Sequence, residues 1–268
     1  MHIASSRKNY CRLLAVLAIV GLGYSGTALA DPIPVGWTCS GSCGTLGANG
    51  VVPLSPIGTS SYEYVTTYGS SSTAPLPSGA LGGETNGSTL ATPIFSATAG
   101  TALNFYFNSV TSDGAGYADY AWAELFSSTN TPVALLFTAR TEPSGSIVPG
   151  TGLPDPTATL IPSSVPIISG APTWSPLGDS SGTCWSSGCG YTGWVNSNYT
   201  IAAAGNYYLE VGVTNWDDEA YDTGLALDGV TVGGNPIGPS PTPEPSTLIL
   251  LGSALVGGAS AIKRRLLR

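Results

Sequence analysis

The segment Leu103-Asn104-Phe105-Tyr106-Phe107-Asn108 decides the fold class, because large apolar residues recur along it at every second position. An extended chain places Leu103, Phe105 and Phe107 on one face, as in a half-buried β-strand. Residues 207–213 alternate in the same way, with Glu210 on the outward face. Other strand candidates, each bounded by Gly, Pro, Asn or Ser, are residues 61–67, 121–126, 133–138, 194–201 and 225–232. The chain is therefore predicted to be all-β, an antiparallel β-sandwich of jelly-roll-like type.

Two interruptions of the strand pattern are informative. In residues 225–232 the apolar parity changes at Gly229, which predicts a β-bulge. Residues 141–182 contain eight prolines in 42 residues and no strand signal longer than 165–168. We expect a long irregular loop there, held against the domain because it leads directly into Cys184.

Charge is scarce and unevenly distributed. Charged residues make up 9 % of the chain and the net charge is −8. Arg140 is the only Lys or Arg between residues 31 and 242, a segment that holds all sixteen acidic residues except Glu244. This balance excludes a nucleic-acid-binding protein that works by neutralising phosphates. The same segment lacks His and Lys, which excludes a Ser–His–Asp triad, a Cys–His pair, a lysine Schiff base and a His-ligated zinc.

The first thirty residues are typical of a secretory signal. Basic residues precede an apolar run at 13–23, and Ala28-Leu29-Ala30 forms an A-x-A cleavage sequence before Asp31. The apolar run is shorter than the ~20 residues needed to span a bilayer. Residues 1–30 are therefore predicted to be a signal peptide that signal peptidase removes.

The C-terminal part has three components in order. A proline-rich spacer at 236–246 contains Pro243-Glu244-Pro245, and residues 247–268 comprise a sixteen-residue apolar stretch with a basic tail. As a helix that stretch would be ~24 Å long, slightly short of a ~30 Å hydrocarbon core. By the positive-inside rule the basic tail stays in the cytoplasm. We expect a single apolar helix that anchors the chain in the membrane at least transiently, with the domain at 31–235 outside.

These three C-terminal components resemble the PEP-CTERM sorting signal of Gram-negative bacteria. The resemblance implies that a membrane-embedded exosortase recognises the tail and processes it near Pro243, Glu244 and Pro245. It also implies a place at the cell surface or in the extracellular matrix, since such bacteria typically make exopolysaccharide and biofilm matrix. The alternative is a plain short membrane anchor with a chance Pro-Glu-Pro sequence.

The exported domain resembles an uncharacterised family of PEP-CTERM proteins of similar length. The resemblance covers residues 37–235. It is carried by residues 39–44, 111–122, 187–194 and 202–216. It implies a shared architecture but no activity, so it assigns no catalytic residues.

Four cysteines remain after removal of the signal peptide. An even number in an exported chain predicts two disulfides, for which three pairings are possible. We favour the local pairs Cys39–Cys43 and Cys184–Cys189, because each closes a short Gly/Ser-containing loop. A four-cysteine zinc site is the alternative.

Two acidic loops form a candidate cation site. Asp113 and Asp119 lie in one Gly-rich loop, and Asp217 and Asp222 lie in another. Ca²⁺ prefers six to eight hard oxygen ligands, which flexible acidic loops supply as carboxylates and carbonyls. If the sandwich brings the loops to one edge, these four residues are the expected ligands. The alternative is a pair of solvated acidic loops.

Aromatic residues are concentrated near the second cysteine pair. Trp174, Trp185, Tyr191 and Trp194 lie in a segment rich in Gly, Ser and Pro. Flat aromatic faces on loops above a rigid sandwich suit stacking against sugar rings, so we expect these four residues to contact a ligand such as extracellular polysaccharide. The alternative is that they fill a hydrophobic cluster.

Together these patterns predict a non-enzymatic exported protein with a structural or adhesive role. Contact with exopolysaccharide is the sharper form of that hypothesis. The alternative function is a carbohydrate-active hydrolase, which needs only two suitably spaced carboxylates and no His. No catalytic residue is assigned.

Overall fold

A computed structural model describes residues 32–237 of the chain. The predicted signal peptide, the sorting sequence and the apolar C-terminal helix lie outside the described residues. Within residues 32–237 no helix combines the length and the hydropathy that a bilayer crossing requires.

Short and long strands dominate the described range. They are β1 (Thr38–Ser40), β2 (Ser42–Leu46), β3 (Tyr62–Thr66), β4 (Glu84–Ala91), β5 (Phe95–Ala97), β6 (Ala102–Thr111), β7 (Tyr120–Ser127), β8 (Pro132–Arg140), β9 (Ser146–Val148), β10 (Thr159–Ile161), β11 (Val165–Pro166), β12 (Ile168–Ser169), β13 (Gly190–Tyr191), β14 (Val195–Thr200), β15 (Gly205–Trp216), β16 (Thr223–Val232) and β17 (Asn235–Pro236). A 3-10 helix spans Ser175–Ser180.

The strands form two main sheets. The larger sheet has the order β10-β14-β6-β16-β3-β2, and the smaller sheet has the order β1-β4-β15-β7-β8. Paired strands are antiparallel in both, and successive long strands change sheet, as in β3 to β4 and β6 to β7. The prediction of an all-β antiparallel sandwich is confirmed.

The core lies between the two sheets and is built from the alternation seen in the sequence. Leu103, Phe105 and Phe107 of β6 are fully buried in one cluster with the inward residues of β15. The Phe107 ring stacks on Phe137 of β8 with 3.8 Å between ring centroids. The predicted bulge is confirmed, because the β16–β6 register shifts between Asp228 and Thr231.

The proline-rich segment 141–182 covers part of the larger sheet's outer face. It contains β9 to β12 and the 3-10 helix, and it pairs with the sheet where β10 meets β14. Its Trp174 is 0 % exposed in a second cluster with Tyr62 and Tyr64. The Trp174 indole N–H donates to the Tyr62 hydroxyl over 2.9 Å. A Cβ at Gly224 would lie 2.4 Å from the Trp174 ring, so glycine makes room for it.

Two carboxylates of the larger sheet lie close together. Asp228 accepts hydrogen bonds from the hydroxyls of Ser55 and Thr59, which fastens the 55–59 loop to β16. Glu63 of β3 lies opposite Leu227 of β16. Burial raises the pKa of Glu63 from 4.5 to about 7, and the charge of Asp228 adds to the shift.

Replacing Trp174 tests the second cluster. Trp174→Ala should lower the free energy of unfolding by about 3–5 kcal/mol, because it leaves a cavity and an unpaired Tyr62 hydroxyl. Urea unfolding followed by circular dichroism measures the loss. Trp185→Ala is the matched control and should cost less than about 1 kcal/mol, since that ring is half exposed. Equal losses of unfolding free energy in the two variants would contradict the assignment of Trp174 to the core.

The raised pKa of Glu63 predicts that the stability of the fold depends on pH. Its folded-state pKa is raised, so its stabilising contribution is complete below pH 4.5 and is lost as the pH rises towards 7. Glu63→Gln should therefore match the wild type at pH 4.5 and exceed its unfolding free energy by about 1–2 kcal/mol at pH 8. Urea unfolding at both pH values tests this. A wild type that gains stability from pH 4.5 to 8 relative to Glu63→Gln would refute the raised pKa of Glu63.

Candidate ligand-binding site

The structure separates the four aromatic residues predicted to contact a ligand. Trp174 belongs to the core, so we correct that assignment: its faces are covered and its N–H is already bonded. Tyr191 and Trp194 are partly buried against the same cluster. The Trp194 indole donates to the carbonyl of Pro53. Of the four, only Trp185 is exposed, at 45 %.

Trp185 belongs to the 184–189 loop and packs against the Gly-rich loop at 112–119 that follows β6. Its backbone N–H donates to the Ser112 carbonyl over 3.1 Å. The Tyr117 ring meets it edge-on, with 5.0 Å between centroids and an interplanar angle of 82°. Sequence reasoning missed Tyr117 as a site residue, although it follows the same glycines that line the Trp185 ring. We call Trp185 and Tyr117 the aromatic platform.

Glycines and a disulfide hold the two platform loops together. A Cβ at Gly114 would lie 2.6 Å from the Ser186 Cβ and 2.9 Å from the Trp185 ring. The N–H of Ala115 donates to the Ser187 carbonyl over 2.9 Å. The Cys184–Cys189 disulfide closes the loop that carries Trp185, and Cys39–Cys43 forms the second bond. These are the two local pairs favoured from the sequence.

The four predicted cation ligands do not converge. Asp113 and Asp119 are each 1 % exposed and lie close enough that the charge of Asp113 raises the pKa of Asp119. Burial is the larger cause of the Asp119 shift, and it also raises the pKa of Asp113 to about 7. Asp222 accepts hydrogen bonds from Thr67 and Ser180, and Asp217 is exposed. Among residues 32–237 no three His, Cys, Asp or Glu side chains come together as a metal site.

A carboxylate pair that the sequence did not single out lies on the smaller sheet. Glu124 of β7 is directly opposite Glu210 of β15. Glu124 is 1 % exposed, and its Oε2 has no hydrogen-bond partner within residues 32–237. Burial raises the pKa of both groups, and the charge of Glu124 adds to the Glu210 shift. Strand register creates this pair, so no local motif marks it.

A cleft lies at the other end of the sandwich. Val35, Ile94, Phe95, Val232 and Ile237 are among the residues that line it. It is mainly apolar and contains none of the residues that the sequence singled out. Ile94 there is 61 % exposed, which makes it a useful reference for the platform.

The spacing at Gly114 gives a test of the platform geometry. Gly114→Ala should push the Trp185 ring away from the loop that contains Gly114, because the new Cβ would lie below normal contact distance from Ser186 and Trp185. Acrylamide quenching of Trp185 fluorescence should rise, taken as the difference between each protein and its Trp185→Phe counterpart. Gly116→Ala is the matched control, since its Cβ would lie 3.3 Å from the same ring. Equal quenching in both variants would contradict the described contact.

Comparison with known proteins gives one match to a sequence-family model and several weak matches to solved structures. No curated protein sequence matches the chain. The K1 cleaved adhesin domain of Lys-gingipain from Porphyromonas gingivalis W83 is 14 % identical with a TM-score of 0.35, covering 79 % of this chain and 100 % of that one. A carbohydrate-binding module of the β-sandwich superfamily is 10 % identical with a TM-score of 0.30, covering 77 % and 64 %. An exo-β-agarase is 12 % identical with a TM-score of 0.30, covering 78 % and 25 %.

These structural similarities are too low to transfer a function. Residues 241–265, in contrast, match the family model of the PEP-CTERM protein-sorting motif. The matched residues include Pro243-Glu244-Pro245 and lie outside the described range. The chain is therefore an exported protein that carries a PEP-CTERM sorting motif.

Proposed function

We propose that the sandwich domain is a non-catalytic surface module that binds neutral extracellular polysaccharide through the aromatic platform. The observation that carries the proposal is the open ring of Trp185, 45 % exposed on a loop that is otherwise tightly held. Tryptophan is highly buried on average, so an exposed one beside a second aromatic ring marks a candidate contact surface. Its apolar face and polar edge suit the C–H face and hydroxyl rim of a sugar ring.

Rigidity of the platform supports binding. The Trp185 loop is closed by the Cys184–Cys189 disulfide and joined to the neighbouring loop by the Ala115–Ser187 backbone hydrogen bond. Tyr117 fixes one edge of the ring. A surface already held in its binding conformation loses little entropy when a ligand binds.

Charge favours a neutral polysaccharide over an anionic one. Arg140 is the only Lys or Arg of the domain, and it donates to the carbonyls of Ala118 and Thr151. Excess carboxylates give the domain a negative potential, which repels uronate-rich or sulfated chains. The ligand is therefore a chain of uncharged sugars.

The position of the platform supports an outward-facing role. Thr111 at the end of β6 pairs with Thr223, and Leu103 at its beginning pairs with Val232. Trp185 is bonded beside Thr111, whereas β17, the last described strand, pairs with Thr231 and Val232 at the other end of β16. The two points are separated by ~25 Å of strand. The platform thus lies at the end remote from the residues that lead into the sorting motif.

Binding by Trp185 can be measured directly. The full chain should bind neutral oligosaccharides on a glycan array, and Trp185→Ala should weaken the affinity at least about tenfold in calorimetry with the best array ligand. Trp185→Tyr should retain most of the affinity, because it keeps a flat ring. Ile94→Ala, at the other end of the sandwich, should bind like the wild type.

The same experiment tests the alternatives. Wild-type binding that survives Trp185→Ala, or a preference for uronate-containing oligosaccharides, would overturn the proposal. Release of reducing sugar, abolished by Glu124→Gln, would instead identify a hydrolase that uses the Glu124–Glu210 pair. That pair lies on the outer face of the smaller sheet, so Glu124→Gln should leave platform binding intact.

A further inference from the structure

The interior of the sandwich becomes polar at the end that carries the platform. On β15 the inward residues Leu209, Val211 and Val213 are followed by Asn215, which is buried at the point where the β15–β4 register shifts. On β4 the inward series continues to Asn86, whose amide donates to the Thr67 carbonyl across the sandwich. We call Asn86, Asp113, Asp119, Asn215 and Thr223 the interior polar layer.

Hydrogen bonds join the two sheets within this layer. The Thr223 hydroxyl donates to Asp119 Oδ2 over 2.6 Å and lies 2.7 Å from the Thr111 hydroxyl. The N–H of Asp113 donates to that same Thr111 hydroxyl over 3.1 Å. Asp119 Oδ1 accepts from the N–H of Trp216, the residue after Asn215. These bonds connect Asp113 to Asp119, and Asn215 is joined to them through the backbone of the residue that follows it.

Several acceptors in this cluster lack a donor. Asp113 Oδ2, Asn215 Oδ1 and Asn86 Oδ1 are buried and have no hydrogen-bond partner in residues 32–237, and neither has Asn215 Nδ2. Asp113 and Asn215 are each 1 % exposed. A buried oxygen without a donor is costly, and a buried carboxylate oxygen more so, so these acceptors point to a missing positive partner.

No side chain of the domain supplies that positive charge. The domain has no His or Lys, and Arg140 stacks on the Trp216 ring while it donates to two backbone carbonyls. Carboxylate and amide oxygens are the ligands that hard divalent cations prefer. The unpaired groups are mainly acceptors, which suits a cation better than an anion.

We propose that the interior polar layer binds one Ca²⁺ ion, with Asp113 Oδ2 and Asn215 Oδ1 as side-chain ligands. Backbone carbonyls and water complete the coordination, since Ca²⁺ accepts six to eight oxygens in flexible geometry. One carboxylate and one amide explain why the site has no cluster of three acidic groups. This site differs from the ligand set expected from the sequence, and it does not depend on polysaccharide binding.

Asp217 provides a matched control for Asp113. It carries the same charge and lies in the adjacent loop, but its side chain is exposed. Its φ of 75° is one that Asn tolerates well, so Asp217→Asn changes charge without straining the backbone. Asp113→Asn removes the same charge from inside the layer.

The test is calcium-dependent stability of the full chain. After treatment with EDTA and its removal, CaCl₂ at ten or more times Kd should raise the Tm of the wild type by about 3–6 °C. Titration calorimetry should give one site per chain. Asp113→Asn should weaken Ca²⁺ binding at least tenfold. In EDTA, the Tm of this variant should equal or exceed that of the wild type, because a buried charge has been removed. Asn215→Leu should likewise lose the calcium response.

Three results would overturn the site. One is a wild type whose Tm and titration heat do not respond to Ca²⁺, which would mean that water satisfies the layer. The other is an Asp217→Asn protein that loses as much affinity as Asp113→Asn, which would place the ion in the exposed loop. Retention of the full response in Asp113→Asn and in Asn215→Leu would equally refute it.

Discussion

Two stacked sheets require an unbroken apolar face on each, and here β6 and β15 meet that requirement. Because alternate residues must then point outward, each sheet also has an outer face to cover. On the larger sheet Tyr62 and Tyr64 are covered by Trp174 from the proline-rich segment 141–182. That segment then leads into the loop of Trp185. The platform is therefore placed by the need to cover an outer face, through a chain of contacts that begins in the core.

Scarcity of basic residues shapes the polar interior. Buried carboxylates in most proteins have Arg, Lys or His partners, but this domain has a single arginine. Serine and threonine hydroxyls act as donors in their place: Ser55 and Thr59 for Asp228, Thr67 and Ser180 for Asp222, and Thr223 for Asp119. A neutral donor stabilises a carboxylate less than a cation does. Burial therefore raises the pKa of Asp119 and of Asp222, so the stability of the domain depends on pH.

Most of the fold could be predicted from the sequence, whereas only part of the site could. Alternation is a local property, so β6, β15 and the bulge at Gly229 were visible in short windows. Burial of Trp174 depends on Tyr62, 112 residues earlier, and on the space at Gly224. Trp185 has similar neighbours in the sequence, but its side chain is exposed. Asn215 also carried no local signal, because its burial is produced by the fold and not by the acidic loop that follows it.

The single arginine also governs how the domain survives outside the cell. Trypsin-like proteases cleave after Lys or Arg, and between residues 31 and 242 the only such bond joins Arg140 to Thr141. The N–H of Thr141 donates to the Asp119 carbonyl and its side chain is buried, so this bond is held within structure rather than in an open loop. Lysine-directed reactions, such as glycation by reducing sugars, likewise find no side-chain amine there. A matrix rich in carbohydrate and secreted proteases is thus an environment in which this composition is chemically durable.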